Sequence, residues 1–84
     1  MPCQEEPTRV IVTYSPSTGK VRCKRMKLFE WCNARFKEES TSTVIENNDF
    51  LRAYNRQNGE IVVYSTTHYD AQKFLRKHVN PQNS

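Results

Sequence analysis

Five of the eight residues from Lys20 to Lys27 are lysine or arginine, and none of the eight is acidic. Lys20, Arg22 and Lys24 alternate with Val21 and Cys23, a period of two that sets the cations on one face of a β-strand. Same-face residues on a strand stand about 6.6 Å apart, so these three form a row that can follow a phosphate backbone and release its counterions. Arg25 and Lys27 prolong the charge. If helices cover only one face of the sheet, Phe50, Arg52, Tyr54 and Tyr64 share the open side with this row. Rings that stack bases beside cations that hold phosphates make a single-strand binding surface. The predicted nucleic-acid-binding set is Lys20, Arg22, Lys24, Arg25, Lys27, Arg52, Tyr54 and Tyr64.

The same residues have plainer readings. A cationic edge strand resists pairing with other chains, and a basic face also suits an acidic protein partner. The alternative function is therefore a protein-binding regulator or inhibitor, a virus-encoded one included. Trp31 reads as core, with its indole N–H seeking a polar acceptor, and the Arg35 stem snorkels outward. Cys23, Cys32, His68 and His78 lack the spacing of a structural zinc site, so no metal or other cofactor is expected. His68, Tyr69 and Asp70, with Lys73 one turn on, are the only group suggestive of a nuclease, and Asp70 is better explained as part of a helix cap to Thr67. No phosphate-cradling glycine loop or nucleophile elbow is present, and a non-enzymatic protein is expected. Signatures of the RNA-recognition motif, helix-turn-helix, zinc-finger and KH modules are missing as well.

With 84 residues, the chain has room for one small core. Its formal net charge of +4 favours polyanions without selecting one. Three cysteines at irregular spacing do not form a disulfide framework, and they read as reduced thiols, with Cys23 and Cys32 buried and Cys3 in a tail. The sequence carries neither a signal-peptide pattern nor an apolar run of bilayer-spanning length, so a cytoplasmic protein without membrane attachment is expected. Exposed strand edges and a small core make a homodimer a further expectation.

The elements that would position these residues come as a near-repeat. Tyr14 precedes a turn ending at Gly19, a short strand and a helix from Lys27 to Glu39; Tyr54 precedes a turn ending at Gly59, a strand and a helix from His68 to Val79. Val10-Ile11-Val12 and Ile61–Tyr64 are β-branched strand segments, and Phe50–Tyr54 alternates as a strand although Asn48 or Asp49 could instead cap a short helix there. Thr43-Val44-Ile45 suits a brief strand. The predicted fold is α+β: a small single domain, a pseudo-repeated ββα-ββα, with an antiparallel sheet of about four strands and both helices packed on one face. Its units are 9–39 and 49–79, joined by a linker at 40–48, between tails at 1–8 and 80–84. The expected core sets Leu28, Cys32, Phe36, Phe74, Leu75 and Val79 against Val10, Val12, Val21, Ile61 and Val63.

Overall fold

The computed structural model describes residues 7–79. Cys3, the side chain of Val79 and the expected C-terminal tail lie outside the described residues, as does the N-terminal tail through residue 6. Five strands and two helices follow one another as β1 (Thr8–Ser15), β2 (Lys20–Lys27), α1 (Leu28–Thr41), β3 (Thr43–Asn47), β4 (Leu51–Asn55), β5 (Ile61–Ser65) and α2 (His68–Val79). All strand pairs are antiparallel, and the sheet order is β2-β1-β5-β4-β3.

The class is thus α+β, with corrections to its expected detail. The sheet has five strands, because Thr43-Val44-Ile45 extends into β3 and occupies the expected linker. The chain therefore runs ββα-βββα, and the proposed repeat is not reproduced. Thr8, expected in a tail, begins β1, and the Pro7 carbonyl accepts a bond from the Leu28 N–H at 3.0 Å. The segment after Asp49 forms a strand, with Phe50 left in the turn before it. Both hairpin turns end on a glycine of positive φ, Gly19 at 75° and Gly59 at 95°, a conformation that a side chain would strain.

The helices lie on opposite faces of the sheet, not on one. Strand parity sorts the core: Val12, Leu51, Ala53 and Val63 pack with Ala71, Phe74 and Leu75 of α2, whereas Ile11, Tyr54, Val62 and Tyr64 pack with Trp31 of α1. Every central strand is therefore apolar on both sides, which is why Val10–Val12 and Val62–Tyr64 are unbroken apolar runs. At the start of α2, the Thr67 hydroxyl accepts the Asp70 N–H at 3.2 Å and bonds the Asp70 carboxylate at 3.0 Å.

α1 turns a different side inward from the one its apolar spacing suggests. Trp31 and Glu38 are its buried residues, with Leu28, Ala34 and Arg35 half-buried beside them. Phe36, expected in the core, is 67% exposed, and Phe29 is 74% exposed. Directional bonds set this orientation. The Trp31 indole N–H donates to the Val10 carbonyl at 3.0 Å, and Arg56 holds Glu38 at 2.8 Å. Trp31 meets Tyr64, and Tyr64 meets Tyr54, edge to face at 5.8 and 5.6 Å between ring centres.

Candidate nucleic-acid interface

Among the described residues β2 is an edge strand, bonded to β1 along its whole length and to no other strand. All of its residues are exposed except the half-buried Met26. Val21 and Cys23, expected to face the core, are exposed too, because they stand on the α2 side and α2 packs over β5 and β1. Cys32 is half-buried, and among the described residues Cys23 and Cys32 form no disulfide.

Pairing with β1 divides the five cations between the two faces. Lys20, Arg22 and Lys24 stand opposite Ser15, Thr13 and Ile11, on the side that carries α1. Arg25 and Lys27 stand opposite Val10 and Thr8, on the side that carries α2, and Arg25 Nη1 donates to the Thr8 hydroxyl at 3.1 Å. Among the described residues, the only carboxylate within 4.0 Å of any of the five is Glu60, at 4.0 Å from an Arg22 whose side chain stays 71% exposed.

The rest of the expected site is elsewhere. Tyr54 and Tyr64 are 0% and 3% exposed, enclosed under α1, so neither ring offers a face to a base. Arg52 is three strand positions from β2, roughly 14 Å at the usual inter-strand spacing, and it turns to Asn47 at 3.0 Å and Glu39 at 3.8 Å. Arg52 instead borders a cleft of about 350 Å³ on the far flank of α1, with Arg9, Arg35 and Phe50 around Trp31.

Between β2 and α1 runs a wider groove of about 540 Å³. Ile11, Thr13, Met26, Ala34 and Tyr64 line it, and Arg22, Lys24 and Arg56 supply its charge. Arg56 bonds Glu38 through Nε and Nη2, both at 2.8 Å, and Glu60 through Nη1 at 2.9 Å. Ser42 and Tyr64 also donate to Glu38, at 2.7 and 3.1 Å, and Ser15 donates to Glu60 at 3.1 Å. The bonds from Arg56 hold both carboxyls below the ordinary glutamate range and raise the guanidinium further from any loss of its proton. Burial, with the Glu38 charge beside it, pushes the Tyr64 phenol upward.

Arg56 and Glu38 had no place in the sequence-derived site. Arg56 sits in a turn without periodic context, yet Glu38 carried a signal. It follows Trp31 by two helical turns, and a carboxylate on the stripe of a core tryptophan requires a cation. Among the described residues, no three His, Cys, Asp or Glu side chains are grouped to hold a metal, and no helix is long and apolar enough to cross a membrane. Comparison with protein-family models, curated proteins and solved structures finds no significant match.

Proposed function

We propose that this protein is a small non-enzymatic nucleic-acid-binding module that holds the phosphate backbone along β2. Lys20, Arg22 and Lys24 act as the main contacts, and Arg25 and Lys27 reach around the edge from the other face. The observation that carries this reading is the exposure of all five cations on one strand, with a single carboxylate among the described residues at the limit of ion-pair distance. Arg52, Tyr54 and Tyr64 leave the proposal, because the first is across the sheet and the rings are enclosed.

Binding of labelled RNA and single-stranded DNA, followed by fluorescence anisotropy across a salt series, tests the reading. Three to five phosphate contacts give a slope of log affinity against log salt of about −2 to −3.5 for a single strand. The double variant Arg22→Glu/Lys24→Glu abolishes binding and leaves thermal stability unchanged, since both residues are exposed. Failure of every oligonucleotide to bind at low salt removes the proposal.

A second reading has its own support in the outer edge of β2, which pairs with no strand among the described residues and where an extended acidic segment of another protein could add as a sixth strand. Main-chain bonds would keep such a complex together in high salt and after nuclease treatment. A backbone-held nucleic acid survives neither.

A further inference from the structure

The groove between β2 and α1 has an apolar floor, which cations along a rim do not need in order to hold phosphates. Lys20, Arg22, Lys24 and Met26 all stand on its side of β2, so the row of cations leads directly to an apolar side chain. Across from them, α1 is tied to β1 by the Trp31 bond to the Val10 carbonyl and to β5 by the bonds of the Tyr64 hydroxyl to Ala34 and Glu38. That leaves Ile11, Thr13 and Ala34 bordering open space beside β2.

Resting on the backbone-binding reading above, we infer that this groove takes unstacked bases of a single-stranded nucleic acid whose phosphates lie on Lys20, Arg22 and Lys24. Charge complementarity sets the sign of the occupant, because the rim is cationic where it meets β2. The floor sets its form. A duplex keeps its bases stacked inside and offers a charged exterior, so Ile11, Met26 and Ala34 would gain nothing from it. A single strand can turn a base inward while its phosphates stay outside. The flat π-face of a base suits the thioether of Met26, which makes favourable contacts with aromatic rings. Glu60, which shares the Arg56 guanidinium with Glu38, lies at the Lys20–Arg22 end of the row, so the bound strand runs from there toward Lys24 and Met26.

The test compares three labelled ligands of equal length at one salt concentration: a single strand, the same strand with abasic sites, and a duplex. Duplex DNA has the higher charge density, so electrostatics alone favours it. The expected result is the reverse, with the intact single strand binding about tenfold more tightly than either competitor, the scale of one well-held base. Placing 2-aminopurine along the strand should give a fluorescence change at the positions that enter the groove. Ala34→Leu narrows the groove and should lower single-strand affinity to the abasic level without changing duplex affinity; unchanged circular dichroism establishes that the variant is folded. Equal, salt-sensitive affinity for all three ligands overturns the groove assignment and leaves the backbone reading standing. No binding to any of the three overturns both.

Discussion

Beneath α2 the sheet presents Val12, Leu51, Ala53 and Val63 to Ala71, Phe74 and Leu75, whereas beneath α1 it presents Ile11, Val62, Tyr54 and Tyr64 to Trp31 and Glu38. The first contact is aliphatic and close-packed around one phenylalanine. The second is built from rings, hydroxyls and an ion pair that reaches the turn between β4 and β5. Aliphatic burial is strong but has little direction, so it holds α2 down without specifying its rotation closely. Hydrogen bonds from Trp31, Tyr64 and Arg56 have direction, and they place α1 over the middle of the sheet. The groove beside β2 is a consequence of that placement. One face thus holds its helix by apolar burial, and the other determines the shape of the candidate site.

The largest expected effect tests the aliphatic side. Phe74→Ala should destabilise the protein by about 3–5 kcal/mol, read from chemical denaturation, because it empties the centre of the α2 contact. For a domain of this size that is a large fraction of the total. A loss no larger than that of any α1 substitution would break this contrast between the two faces.

A smaller effect is expected from the ionic side. Removing one member of a buried pair commonly costs about 3–5 kcal/mol, but the Arg56 side chain is 33% exposed, so solvent screening reduces the expectation for Arg56→Met to about 1–3 kcal/mol. Its pH dependence is more diagnostic than its size. Glu38 has its proton affinity lowered in the folded state, chiefly by the Arg56 bonds. Its stabilisation is therefore complete above the ordinary glutamate range and is lost as pH falls through the lowered value. Urea midpoints measured from neutral pH downward should fall less steeply for Glu38→Gln than for the native chain. Parallel curves would mean that Glu38 contributes no acid-sensitive stability.

The smallest effect sharpens the contrast. Trp31→Phe keeps an aromatic ring but removes the bond to the Val10 carbonyl, for an expected loss of about 1 kcal/mol in the same denaturation assay. A loss several times larger would mean that Trp31 serves mainly as bulk, as Phe74 does.

Much of the local structure was legible because local chemistry determined it. The alternation of Lys20–Lys24, the glycines at both hairpin turns, the β-branched runs in β1 and β5 and the Thr67–Asp70 cap each depend on residues close in sequence. The α1 face was misread for a physical reason. Leu28, Phe29, Cys32 and Phe36 form the more apolar arc, but the arc holding Trp31, Ala34 and Glu38 can be buried once a distant arginine neutralises the carboxylate. The open aromatic surface failed with it, since Tyr54 and Tyr64 belong under that second arc.

Composition and periodicity alone determined that β2 is a cationic strand and that the chain folds as a small α+β domain, because those properties need only neighbours along the chain. Which faces the helices cover, where the basic strand sits in the sheet, and which rings remain open were decided only by the packed structure. They depend on contacts such as Arg56 with Glu38 and Trp31 with Val10, made between residues 18 and 21 positions apart. No local pattern encodes the free energy of joining such groups, and β2 lies at an open edge because β5, not β2, pairs along the other side of β1.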